Sequence, residues 1–390
     1  MKKFLLIFFV FSGFSAISQD IQDYFYINNA EKEIQLDPLE IENYLYNIIR
    51  VYENNGYPFA EEKLENIKGN KADLFVNKGE LYTIDSLVIY GNTKLSEKQL
   101  FTLIGIKKGE IYNQQKLDEI DIKLSKITYL KQVKEHSFVF HKNTADIYFY
   151  LEKENNNFID GLIGINTNDK EISLNGFVNI KLENLLNKGE EINLKWRAEQ
   201  ENFQKIESNF YYPFIFNSKI GTELNLNILK KINSFTNIEK EIGFNYNLNN
   251  KITTKIQYYN LSSVEEEENT SYQNVSEKSI GLGFIFQNNN ILLDGNSYFG
   301  KREIENKKLN SVKLNLNSIY FIPIKNNFVG ILRTTSSIIL SEDLYSNELL
   351  QFGGSNSLKG FNENEFFADR FSVGTVEIKY NLEKITSFSV

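Results

Sequence analysis

The stretch QFGGSNSLKGF, Gln351 to Phe361, gathers the side chains with the most to offer chemically. Gly353, Gly354 and Gly360 permit positive φ and close approach of backbone to another surface. Leu358 and Lys359 precede the last glycine, and Phe352 and Phe361 flank the set. The lysine supplies one compact positive charge with three donors. A polar surface loop that is merely glycine-rich is the other reading of these residues. Support for bond-making chemistry is thin elsewhere. The two histidines, His136 and His141, both lie in the front part of the chain, which leaves the strand-rich remainder without a histidine for a Ser-His-Asp arrangement or for the usual zinc ligand set. Cysteine is absent, which removes disulfides and thiol-based metal or redox sites. No phosphate-cradling motif occurs. The run Glu265 to Glu268 reads as a solvated loop tip, with a cation site as the alternative. These residues point to a protein that is not an enzyme and uses no cofactor or metal.

The elements that must position this stretch begin with an export signal. Met1-Lys2-Lys3, an apolar run from Phe4 to Phe11 and Ala16-Ile17-Ser18 make the basic, apolar and small-residue order of a secretory signal peptide. Its core is shorter than the about 20 apolar residues that span a bilayer, and residues 1–18 are set aside from the fold. Aromatic residues make up 14% of the chain, there are 4 prolines, and the net charge is −8. A secreted, acidic, aromatic-rich chain points to a β protein of the cell envelope and away from nucleic acid as a partner.

Residues 19–80 contain a helix pattern from Asp37 to Tyr52, with Leu39, Ile41, Tyr44, Leu45, Ile48, Ile49 and Tyr52 mostly at three- and four-residue steps. Two short strands follow, Ala60 to Ile67 and Ala72 to Val76, joined at Gly69-Asn70; the first strand of this block is unclear. Residues 81–154 read as strand, helix, helix, strand, strand. Leu81 to Tyr90 is the first strand. Ser96 to Gln99 is a capping-box pattern that opens a helix through Leu103. A second helix is predicted over Gln114 to Leu130, followed by strands at His136 to Phe140 and Ala145 to Leu151.

From residue 155 to 390 period-2 alternation dominates. Ile192, Leu194 and Trp196 oppose Asn193, Lys195 and Arg197; Val376, Ile378 and Tyr380 oppose Glu377, Lys379 and Asn381. Twelve strands are predicted, beginning near Phe158, Glu171, Glu191, Phe203, Lys219, Ile238, Lys251, Glu277, Asn290, Lys308, Phe328 and Phe371. A soluble sandwich would alternate too. The strand lengths, the absence of intervening helices and aromatic residues near strand ends (Trp196, Tyr211, Tyr212, Phe321) favour a membrane barrel. Connections at one end are short, such as Asn187 to Gly189. The two longest, Ser263 to Ser276 and Ser341 to Arg370, both fall at the other end.

Residues 81–154, with their Gly91-Asn92 turn and KKGEIYN segment, resemble a POTRA domain, and residues 19–80 resemble a shortened one. DGLIGIN at Asp160–Asn166, LENLLNKGEEINLKW at Leu182–Trp196 and YYPFIF at Tyr211–Phe216 resemble the opening strands of BamA-type barrels. The stretch at 351–361 is similar to that family's sixth extracellular loop, whose GG…RGF signature folds back into the barrel, with Lys359 where arginine is usual. The resemblance to the BamA/TamA family implies α+β POTRA domains followed by an all-β antiparallel transmembrane β-barrel in the outer membrane. It implies docking of Gly353, Gly354, Leu358, Lys359, Gly360 and Phe361 on an inner wall where Glu377 is the matching partner. The implied partners are unfolded outer-membrane protein clients, outer-membrane lipid and periplasmic accessory proteins, with the POTRA domains in the periplasm. A two-partner secretion transporter is the alternative, although Gln19 to Leu36 lacks a convincing plug helix. About twelve of the family's sixteen strands are legible, so the expectation is a C-terminally incomplete, open barrel.

Overall fold

A computed structural model describes residues 25–29, 32–168, 171–198, 203–249, 251–266, 271–305, 307–325, 327–354, 357–362, 364–381 and 387–389. The signal-peptide segment, and Glu267 and Glu268 of the acidic run, lie outside the described residues. The chain divides into two compact units. One comprises residues 1–85, 108–119 and 139–146; the other comprises 86–107, 120–138 and 147–390.

In the first unit the strand that the sequence leaves unclear is a hairpin, β1 (Phe25–Asn29) with β2 (Lys32–Leu36). β3 (Glu61–Lys68) and β4 (Lys71–Asn77) complete a sheet of order β2-β1-β4-β3. Ile27 and Ala72 are directly opposite and both buried, because alternate residues share a face. A 3₁₀ turn at Pro38–Glu40 is capped by the Asp37 carboxylate, which accepts the Leu39 N–H at 2.9 Å. It leads into α1 (Ile41–Asn54). The β3–β4 register shifts between Glu65 and Lys68, where Asn66 has φ 52°. At this bulge Asn66 Nδ2 donates to one oxygen of Asp73 at 2.9 Å, and Asn28 Nδ2 donates to the other at 3.0 Å. Those two donors hold the Asp73 carboxyl below its ordinary 3.8.

The next module contains β5 (Thr83–Tyr90), α2 (Glu97–Ile104), α3 (Gln114–Asp118), α4 (Ile120–Ser125), β6 (Leu130–Phe140) and β7 (Thr144–Lys153), with sheet order β5-β7-β6. The capping box at Ser96 is formed in full, and Gly105 ends α2 at φ 72°. The single helix expected over 114–130 is instead two short ones that stop at Ser125. The N–H groups of Lys126 and Ile127 turn back three residues, to Lys123 and Leu124, which tightens and ends the helix. Leu130 then already belongs to β6. Ala145, Ile147, Phe149 and Leu151 are all fully buried along one face of β7. Gly91 has φ 125°, and a Cβ there would sit 1.9 Å from the Leu151 carbonyl oxygen, so only glycine fits.

The remaining strands are β8 (Phe158–Asn168), β9 (Glu171–Glu183), β10 (Glu191–Ala198), β11 (Phe203–Tyr212), β12 (Ile220–Lys231), β13 (Phe235–Asn247), β14 (Ile252–Glu265), β15 (Val275–Gln287), β16 (Ile291–Ile304), β17 (Lys307–Pro323) and β18 (Phe328–Leu340). A small hairpin, β19 (Leu350–Phe352) with β20 (Phe366–Ala368), precedes β21 (Arg370–Asn381) and the short β22 (Ser387–Ser389). β8 to β18, β21 and β22 form one antiparallel 13-stranded sheet, in which β8 pairs on one side only among the described residues, so the sheet is open. The largest offset from the twelve strand starts read in the sequence is at β13, expected from Ile238 and observed from Phe235.

This sheet has the reverse polarity of a soluble core. On β14, Gln257, Tyr259, Leu261 and Ser263 are buried, while Ile256, Tyr258 and Val264 are exposed. On β15, Glu277 and Ser279 are buried, while Ile280, Leu282 and Phe284 are exposed. Apolar side chains outward and polar ones inward suit hydrocarbon around the sheet and water inside it. Among the described residues no helix is long and apolar enough to cross a membrane, which leaves crossing by strands untouched.

The Asp73 carboxyl, lowered in the folded state, contributes stability that is present above its unfolded value of about 4 and is lost as pH falls toward the folded one. Protection of the β1 to β4 amides, taken relative to the intrinsic exchange rate at each pH, should therefore fall below about pH 4. In Asp73→Asn the first unit should already be looser at neutral pH and should change less over the same range; equal pH responses in both proteins would contradict this.

Candidate functional site

The inward face is built on cross-strand rungs. Asn193, Asn209, Asn225 and Glu241 lie directly opposite one another on β10, β11, β12 and β13. Asn209 Nδ2 donates to Asn225 at 2.7 Å, and Asn225 Nδ2 donates to Glu241 at 2.9 Å. Tyr298 on β16 donates its hydroxyl to Glu241 at 2.6 Å, and Lys313 on β17 pairs with Glu277 at 2.8 Å. A cavity of about 820 Å³ lies against this wall, lined also by Glu348, Leu349, Leu350, Gln351 and Asn364 of the long connection between β18 and β21. The connection thus folds inward and forms part of the cavity wall. Asn245 Oδ1 and Gln257 Oε1 are buried on the same face without a hydrogen-bond partner among the described residues.

One arginine holds the base of that connection. Arg302 on β16 is 1% exposed and forms a bidentate pair with Glu348, both N–O distances being 2.7 Å. Its remaining donors go to Ser341 Oγ at 2.8 Å, to the Asp343 carbonyl at 2.7 Å and to the Glu342 carbonyl. A planar guanidinium fits such a set and an ammonium would not. Next to it Asn347 is fully buried. Its side chain donates to Ser263 Oγ at 2.6 Å and to the Gln273 carbonyl at 2.7 Å, and its carbonyl accepts from Asn237 at 2.6 Å. β13, β14, β16 and the β14–β15 loop all therefore grip residues 341–348.

The glycine-rich tip is held differently. Gly353 and Gly354 have φ of 125° and 90°, and a Cβ on Gly353 would lie 2.6 Å from the Asn362 carbonyl oxygen. The turn closes through Gly354 N–H to the Leu358 carbonyl at 3.1 Å and Gly353 N–H to Ser357 Oγ at 2.7 Å. Gly360 has φ 93° and open space around it. Phe361 packs edge-on to Phe366, which stacks on Phe352, and Phe352 stacks on Phe371 of β21. Lys359 Nζ lies 2.9 Å from Glu377 Oε1, and Arg333 approaches the other oxygen at 4.0 Å. The Lys359 side chain is 64% exposed, whereas Glu377 is mostly buried. The residues singled out by sequence are thus brought together, but through one single-point ion pair with a solvated cation. The stronger attachment, Arg302 with Glu348 and Asn347, escaped sequence reasoning. Its only local sign is a cation on the inward phase of a strand. His136 and His141 pair with Asp121 at 2.8 Å and Asp146 at 3.0 Å, outside the barrel sheet. No cluster of metal-ligating side chains occurs among the described residues.

Residues 82–154 match the family model for POTRA, described as a surface antigen variable number repeat. A curated relative, the outer membrane protein assembly factor BamA of Buchnera aphidicola subsp. Acyrthosiphon pisum (strain APS), is 29% identical over 132 residues. The match covers 32% of this chain and about a fifth, 21%, of that relative's length. Among solved structures, BamA from Haemophilus ducreyi lacking POTRA domains 1–3 aligns with a TM-score of 0.54 at 13% identity, covering 89% of this chain and 77% of that one. CdiB from Escherichia coli aligns at 0.56 and 12% identity, covering 96% and 79%. CdiB from Acinetobacter baumannii aligns at 0.55 and 14%, covering 91% and 71%. All three share the fold of this chain.

Removing one partner of a buried ion pair leaves the other charge uncompensated, at about 3–5 kcal/mol, whereas an exposed pair is worth about 0–1 kcal/mol. Arg302→Ala should therefore free the connection at 341–370 to protease far more than Lys359→Ala does. The double variant Arg302→Met/Glu348→Leu should recover part of the loss. Equal cleavage of Arg302→Ala and Lys359→Ala would show that the buried clamp does not govern loop docking.

Proposed function

We propose that this chain, a POTRA domain followed by an open antiparallel barrel sheet of the BamA type, serves in the outer membrane as a non-enzymatic assembly factor for other β-barrel proteins. The POTRA modules stand in the periplasm and receive unfolded clients. Strands that pair on one side only among the described residues support this role. β2 and β3 flank the first sheet, and β3 is exposed along nearly its whole length. An added strand gains main-chain hydrogen bonds with little demand on its sequence. Faces of the modules away from those edges are where periplasmic accessory proteins would attach. The barrel sheet carries the client into lipid, with free energy from strand pairing and apolar burial rather than from a nucleotide.

The observation that carries the reading is the inward-folded connection at 341–370, clamped by Arg302 and touching Glu377 through Lys359, in a chain whose residues 82–154 form a POTRA domain. A two-partner secretion transporter, passing one exoprotein through the pore, is the second reading, which a fold shared with both BamA and CdiB does not separate from the first. Strands β1 and β2 (Phe25–Asn29 and Lys32–Leu36), rather than a plug helix, support the first.

Depletion of the protein followed by proteomics of the outer membrane separates the two. Broad loss of unrelated barrel proteins is expected. Loss of a single secreted protein with other barrels intact would replace the assembly reading by the secretion one.

A further inference from the structure

On the outward face of the sheet, the strand register brings together lysines that are far apart in sequence. Lys240 of β13 is opposite Asn260 of β14, Asn260 is opposite Lys278 of β15, and Lys278 is opposite Lys301 of β16. All three lysines are exposed. None of them has an ion pair or hydrogen bond among the described residues. In a chain of net charge −8 this is a local reversal of sign. It also has a cost, because like charges directly opposite across a strand pair are destabilising. Lysines nearby at the same end of the sheet are neutralised: Lys230 by Glu266 at 2.9 Å and Lys308 by Glu303 at 3.9 Å.

The position of the row says what could neutralise it. The next rung toward the short-turn end is Ile242, Tyr258, Ile280, Phe299 and Val312, and these open the apolar outward surface. Away from that surface lie the strand ends that carry the two longest connections. The lysines therefore stand at the rim of the apolar belt, where headgroups begin. A ligand that joins an anionic head to hydrocarbon meets both surfaces at once, which a soluble anion or an acidic protein does not. Lys278 and Lys301 have Cβ atoms about 5 Å apart, and Lys240 lies two strands away, about 10 Å. That spacing suits two phosphates on one headgroup.

We propose that Lys240, Lys278 and Lys301 bind the phosphate headgroup of an anionic lipid in the leaflet on the long-loop side. The inference rests on the membrane placement proposed above and not on the assembly role. The test uses the full chain purified in zwitterionic detergent and titrated with bisphosphorylated lipid A, or with phosphatidylcholine as the neutral control, bound lipid being counted by native mass spectrometry. Wild type should retain lipid A in preference to phosphatidylcholine. Lys240→Gln/Lys278→Gln/Lys301→Gln should bind it at least tenfold more weakly. Lys205→Gln/Lys230→Gln should bind as wild type, because those lysines already pair with Glu207 and Glu266. Unchanged binding in the triple variant, or equal loss in both variants, would overturn the site. Heat-modifiable gel migration verifies that each variant is folded, and Lys278→Gln alone, expected to show a smaller loss, serves if the triple variant is not. Placement is read separately. In vesicles, Ile280→Cys, the sole cysteine of that variant, should resist a water-soluble maleimide. Ready labelling would reject the membrane placement itself, a result distinct from loss of the lysine site.

Discussion

The buried charge of Arg302 governs how the interior of the sheet is organised. A guanidinium taken out of water is tolerated only where its donors are met. The strands around it do not meet them; the connection between β18 and β21 does, through Glu348, Ser341 and two carbonyls. The arginine and the connection therefore require each other. Once residues 341–348 are seated, Asn347 reaches β13 and β14, and the glycine-rich tip is delivered toward β21. A firmly held base and a weakly held tip follow from this order of strengths.

The same logic explains the rest of the inward wall. With apolar residues directed outward, the polar residues of the alternation must satisfy one another or water inside. Rungs of asparagine and glutamate do so across β10 to β13, and Tyr298 closes the set from β16. Asn245 Oδ1 and Gln257 Oε1, buried without a partner among the described residues, leave capacity for water on this face. The wall is thus polar along its rungs. The inward-folded connection narrows it.

The front modules obey different rules. Their sheets bury apolar residues in the ordinary way, as Ala145, Ile147, Phe149 and Leu151 do on β7. The first of these sheets ends on β2 and β3, each of which pairs with one strand among the described residues. One chain thus combines modules with an ordinary apolar core and a sheet whose outer surface suits lipid.

The sequence by itself determined the phase of each long strand, because every step of two residues returns a side chain to the same face and the surroundings of a barrel reward consistency along the whole strand. It also determined the capping box at Ser96 and the glycine turn at 353–354, where local geometry admits few residue types. It placed Lys359 and Glu377 by likeness of pattern. It did not reveal the stop of the second helix at Ser125, which depends on turn bonds and on the demand of β6 for Leu130. Nor did it reveal the Arg302–Glu348 clamp or the lysine row, whose members lie on different strands and loops. Tertiary structure decided these, for a physical reason. Alternation reports which face a residue takes, whereas strand register and loop path decide which residues of a face meet, and charges separated along the chain acquire partners, or are left without them, only then.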